Sequence, residues 1–144
     1  MTAFANMTIN DGQATPVAHT FTARRIDEKG VAKWQDISGG VPIGYITITA
    51  SLKEPPVNMG SSNRDAEYVA RYKVALPILE TLSNNTFSGV NPAPTKAYDL
   101  IADSTYRMSE RSALADRKNL LAYHVNGLAQ PQIRDLIWNL DFVA

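Results

Sequence analysis

The sequence predicts an α+β fold, an antiparallel sheet followed by two helices. Three observations carry this. Apolar residues recur mostly at every second position as far as Ser109, and at helical spacing beyond it. Short alternating runs are separated by turn formers such as Asp11-Gly12 and Lys29-Gly30. The plainest run, Tyr45-Ile46-Thr47-Ile48-Thr49-Ala50-Ser51-Leu52-Lys53, sends Ile46, Ile48, Ala50 and Leu52 one way and Thr47, Thr49, Ser51 and Lys53 the other. Such a strand has one face packed and one face free.

Residues 4–10 read as the first strand, Asp11-Gly12 as a hairpin signal and residues 17–25 as the return strand. Lys29-Gly30 turns the chain into a short strand over 31–36, and Ser38-Gly39-Gly40-Val41-Pro42 is a loop. The long alternating strand follows and stops at Glu54-Pro55-Pro56, because proline cannot donate to a ladder. The stretch to Asn63, with Met59-Gly60-Ser61-Ser62, is an exposed connection. Residues 66–78 form the next strand, with Tyr68, Ala70, Tyr72, Val74 and Leu76 on one face and Val69, Arg71 and Lys73 on the other. Ser83 to Pro94 is a long loop rich in turn formers, a length that in compact domains usually marks function or disorder. Residues 96–108 resume as a strand.

Ser109 is a good N-cap, with Glu110 at the positive end of the helix dipole. Leu114, Lys118, Leu121, Val125 and Leu128 then form one stripe, along which Lys118 can lay its stem. Gly127 suits a C-terminal cap, and Pro131 suits the first turn of a second helix. Ile133, Leu136, Ile137 and Leu140 complete that helix at amphipathic spacing. The expected organisation is one domain over 1–144: a β-hairpin at 1–26, an antiparallel sheet at 31–108 with a long loop at 79–95, and two helices at 109–144.

At 144 residues a single core is feasible, burying roughly 68–70% of the unfolded-chain surface. A lone sheet with a short helical tail is nevertheless thin, and a second subunit would help it. Lys plus Arg equals Asp plus Glu at 14 each, which argues against strong nucleic-acid binding by one copy. Weak binding repeated over many linked copies remains open. The absence of cysteine removes disulfides, thiolate zinc sites and cysteine nucleophiles together. Met1-Thr2-Ala3-Phe4-Ala5-Asn6 carries no signal-peptide pattern, and no apolar run approaches the ~20 residues of a membrane helix. The sequons at Asn6 and Asn84 then read as chance matches.

Catalytic and metal chemistry finds no support. The two histidines, His19 and His124, fall in a strand and a helix, and no His-x-His, HExxH or clustered carboxylates occur. No GxGxxG, Walker or Gly-x-Ser-x-Gly pattern exists. His124 beside Tyr123 reads as a polar residue at a helix surface. Asp99 and Asp103, four apart on one strand face, read as solvated surface groups. No enzyme, metal, cofactor or small-molecule substrate is expected.

Several local patterns, in order, resemble the coat proteins of the single-stranded RNA bacteriophages, the levivirus group. Gly30-Val31-Ala32-Lys33-Trp34 is similar to the opening of that family's short third strand. Ile46-Thr47-Ile48-Thr49-Ala50-Ser51 resembles the alternating Thr/Ser strand after it. Asn63-Arg64 and residues 68–74 resemble the basic turn and its Tyr-x-x-Lys strand. Thr95-Lys96-Ala97-Tyr98 resembles the start of the last strand, and the chain from Ser109 onward resembles the family's two helices.

The resemblance implies an N-terminal hairpin, a five-stranded antiparallel sheet and two helices that reach across an intertwined homodimer. Dimers would close into an icosahedral shell around genomic RNA, assembled in the cytoplasm of a bacterial host. The inner sheet face would bind an RNA hairpin at the replicase start and repress translation. On that face Thr47, Thr49 and Ser51 offer hydroxyls, and Lys53, Arg71 and Lys73 offer phosphate contacts. The family's base-stacking tyrosine maps onto Tyr98. Strict alternation instead sets Tyr98 with Leu100, Ala102 and Tyr106 on the apolar side, unless a bulge intervenes. The alternative from another class is a non-viral homodimeric ligand-binding or interaction domain with a sheet floor and a helical cover.

Overall fold

The computed structural model describes residues 2–56, 66–81 and 87–144. The Met59–Ser62 connection, the Asn63-Arg64 turn and residues 83–86 of the long loop lie outside the described residues. The chain divides into two compact units, Met1–Glu54 with Tyr68–Arg107, and Pro55–Glu67 with Met108–Ala144.

The first unit is an antiparallel sheet. Its strands are β1 (Met7–Asn10), β2 (Ala18–Ile26), β3 (Ala32–Asp36), β4 (Ile46–Lys53), β5 (Glu67–Leu79) and β6 (Lys96–Ser109). They lie side by side in chain order, giving six strands where five were expected. The reason is that β2 pairs on both edges: Phe21 faces Met7 of β1, and Ala23 faces Trp34 of β3. The hairpin is thereby continuous with the sheet.

Local chemistry sets the turns. Asp11 accepts backbone N–H bonds from Gln13 (3.3 Å) and Val17 (2.9 Å), tying a connection longer than the two-residue turn that Asp11-Gly12 suggests. Asp27 accepts from Lys29 (2.9 Å) and Val31 (2.8 Å), and Gly30 takes φ +75°, a conformation that needs glycine.

Register defines the two faces, since direct partners in an antiparallel pair share a face. Trp34, Ile48 and Val74 lie in one cross-strand row, and Ala32, Ala50 and Tyr72 in the next. This apolar face buries Ile48 to 1% exposure and is joined by the buried Phe21. Phe4 packs edge-on against Trp34, with ring centres 5.1 Å apart, and the Trp34 indole N–H donates to the Ala5 carbonyl at 2.9 Å. Large apolar side chains of the sheet stay open: Leu52 on this face, and Tyr98 and Leu100 on β6, are each more than half exposed.

In the second unit the Glu110 N–H donates to the Ala66 carbonyl at 2.9 Å, and Ala66 is buried. The helices are α1 (Leu114–Leu128) and α2 (Pro131–Trp138). Helix α1 begins four residues later than the Ser109 cap predicts, with Ala113 in the cap position. Ser109 instead closes a turn: its carbonyl accepts the Ser112 N–H (2.9 Å) and hydroxyl (2.7 Å). Ala113, extended and without a side-chain cap, precedes α1, and Asp116 takes the dipole position expected of Glu110. Helix α1 runs past Gly127 to end at Leu128, so Gly127 is not its cap. Pro131 occupies the first turn of α2, as expected. No residue of either helix is buried, and Leu121, Val125, Ile137 and Trp138 are all more than half exposed.

Candidate nucleic-acid interface

The free face of the sheet is built from cross-strand rows. In one, Gln35, Thr47 and Ala75 lie abreast, and the Gln35 amide donates to the Thr47 hydroxyl at 3.3 Å. In the next, Lys33, Thr49 and Lys73 lie abreast. Then come Ser51 beside Arg71, and Lys53 beside Val69. Six of the seven candidate residues thus share one face of two adjacent strands.

A bulge extends the cationic row. Between Ala23 and Arg25 the β2–β3 register shifts, and Arg25 pairs with Lys33. Regular pairing would have sent Arg24 to this face; the extra residue sends Arg25 instead. Arg25, Lys33, Thr49 and Lys73 therefore form one row across four strands. Arg25 opposite Lys33 is a like-charge pair, unfavourable in a bare sheet.

Arg71 is paired. Its Nε donates to the two carboxylate oxygens of Asp103 at 3.0 and 3.1 Å, and its Nη2 also donates to Asp103. This pairing stabilises both charges: Arg71 is raised further above its ordinary value, and Asp103 is held below the usual carboxylate range by Arg71, with Lys73 adding a smaller effect. Lys96 donates to Asp99 at 2.7 Å near the start of β6.

Tyr98 stands apart from the other six. Asp103 shares the face of Arg71, and alternation back along β6 puts Tyr98, with Leu100 and Ala102, on the opposite face. Just before β6, the Glu80 N–H donates to the Thr95 carbonyl at 2.9 Å and the Thr95 hydroxyl donates to the Glu80 carboxylate at 2.5 Å.

Sequence reasoning missed Arg25, Lys33, Gln35 and the acidic partner Asp103. Lys33 and Gln35 alternate with Trp34, a signal that could have placed them opposite the core. Arg25 depends on a bulge that leaves no mark in composition. Asp103 reads from its sequence neighbours as a solvated group because its partner is 32 residues away in the chain.

The family model for the levivirus coat protein matches residues 2–143, nearly the whole chain. The chain belongs to the levivirus coat protein family. The virus-like particle of bacteriophage ESE058 is similar at 31% identity and a TM-score of 0.89, over 99% of this chain and 100% of that one. The virus-like particle of bacteriophage NT-214 has the same fold at 22% identity and a TM-score of 0.83, over 99% and 100%. The bacteriophage GA capsid protein shares the fold at 16% identity and a TM-score of 0.66, over 98% of each chain. No curated protein matches significantly. As a levivirus coat protein the chain is a structural, non-enzymatic component of a virion capsid. Family membership sets aside the non-viral alternative. Among the described residues no three His, Cys, Asp or Glu side chains group to hold a metal, and no helix is long and apolar enough to cross a membrane.

Proposed function

We propose that this coat protein forms homodimers whose joined polar sheet faces hold the genomic RNA inside the shell. The supporting observation is the row Arg25, Lys33, Thr49, Lys73 on a chain of zero net charge. Cations that repel one another across a ladder gain when a polyanion lies along them. Thr47, Thr49, Ser51 and Gln35 add hydroxyl and amide groups able to meet ribose or base edges of an RNA stem-loop. Binding of one hairpin at the replicase start would couple packaging to translational repression, with shells assembling in the bacterial cytoplasm. Each face binds weakly, and the closed shell multiplies the contacts.

Dimerisation is proposed on separate grounds. Leu121, Val125, Ile137 and Trp138 on the helices, and Leu52 and Tyr98 on the sheet, are apolar and exposed in one chain. Covering such surface with a second copy supplies the burial that a thin monomer lacks. Tyr98 belongs to this apolar surface by alternation.

The test is RNA binding by purified protein across a salt series. Lys33→Ala and Lys73→Ala should each weaken binding to a short RNA stem-loop and lower the salt slope by about one, since each lost phosphate contact retains its counterion. Particles of the double variant should carry less RNA by absorbance ratio. Unchanged affinity, slope and RNA content in both variants would reject this face as the RNA site.

A further inference from the structure

We infer that Asp103 is a built-in competitor for phosphate, occupying the Arg71 guanidinium and thereby setting how tightly the polar face holds RNA. The inference rests on the RNA-facing role proposed above and concerns the regulation of that face.

The geometry carries it. Arginine meets a carboxylate and a phosphate with the same planar fork of donors. In this chain the Nε and Nη2 edge of Arg71 is already taken by both oxygens of Asp103. A phosphate can use that edge only by displacing the carboxylate. The pair can be exchanged because it sits in solvent, with side-chain exposures of 57% for Arg71 and 33% for Asp103. Exposed ion pairs are worth little and open readily. The neighbouring cations differ: among the described residues no ion pair holds Lys33, Lys53 or Lys73.

Two consequences follow. First, RNA arriving at Arg71 exchanges one anion for another, with no mobile counterion released, so Arg71 adds little affinity and little salt dependence. Second, Asp103 leaves a carboxylate on the same face, where its field also reaches Lys73. Asp103 therefore subtracts from the cationic row as well as silencing one arginine.

The experiment measures binding of a fluorescent RNA stem-loop to full-length protein by anisotropy, from about 50 to 200 mM salt. Asp103→Asn, nearly the same in shape, should bind about 3- to 10-fold tighter at low salt and steepen the salt slope by about one. Asp103→Glu should behave as the parent, because it restores the charge. Arg71→Ala alone should change the slope little, and combined with Asp103→Asn it should remove the steepening. Circular dichroism and sizing of each variant confirm that the fold and assembly persist. The inference is overturned if Asp103→Asn binds equally or more weakly while Lys33→Ala and Lys73→Ala lose affinity, for then Asp103 merely positions Arg71. If the lysine variants also bind unchanged, the RNA face itself is wrong and the inference falls with it.

Discussion

His19 holds a carboxylate at each ring nitrogen. Its Nδ1 lies 2.8 Å from Asp36, which is 6% exposed, and its Nε2 lies 3.3 Å from Asp11. Asp11 also ties the β1–β2 connection, so the imidazole joins the hairpin to the end of β3. The hydrogen bond to Asp36, then that to Asp11, raises His19 above its ordinary 6.5. Asp11 is lowered chiefly by the Val17 N–H, and Asp36 chiefly by Ser38, with His19 contributing to both. The sign for His19 follows from linkage. Its contribution to stability is complete below the unfolded value near 6.5 and is lost as pH rises through the raised folded value. The two aspartates act oppositely: their contribution is present above 3.8 and is lost as pH falls through their lowered values. Urea midpoints of the dimer, measured at one fixed protein concentration, should therefore decline from mildly acidic pH toward pH of about 8. His19→Gln should flatten that decline, and an equally steep decline in the variant would assign it to other groups. None of this cluster was legible beforehand, because Asp11, His19 and Asp36 meet only through the strand pairing.

At the scale of elements, β4 was the most legible because its alternation is unbroken and both of its edges are paired. Ile48, the third residue of the strand, is the most completely covered side chain among those described. Ile48→Ala should cost about 2–5 kcal/mol by losing apolar burial and leaving a cavity, as read from urea denaturation. A loss below about 0.5 kcal/mol would mean that the apolar face is not the core. The end of β6 was less legible. Ser109 has the composition of a cap, but a serine can equally close a turn, and here its carbonyl meets Ser112. The bulge at Arg24 and Arg25 was also hidden, because nothing in a run of two arginines says which one faces Lys33. On α1, Leu121→Asp should block assembly, since a charge would enter an apolar stripe that one chain leaves open. Normal particles from that variant by electron microscopy would show the stripe to be ordinary surface.

For the whole molecule, the described chain buries few apolar side chains (Phe21, Ile48 and Ala66) while exposing many large ones on sheet and helices. A chain so thinly covered should be stable only with its own copies. Mild dissociation of particles should give a dimer as the smallest folded species in analytical ultracentrifugation, and a stable folded monomer would contradict the dimer proposal. The sequence by itself determined the class of fold, the order of strands and helices, and the two-faced character of β4. These follow from periodicity and turn chemistry, which act over a few residues. Only the tertiary structure decided which side chains stand abreast: Arg25 with Lys33, Thr49 with Lys73, Arg71 with Asp103, and His19 between two aspartates. Those meetings depend on register, and a single inserted residue moves a side chain to the other face without altering the local pattern.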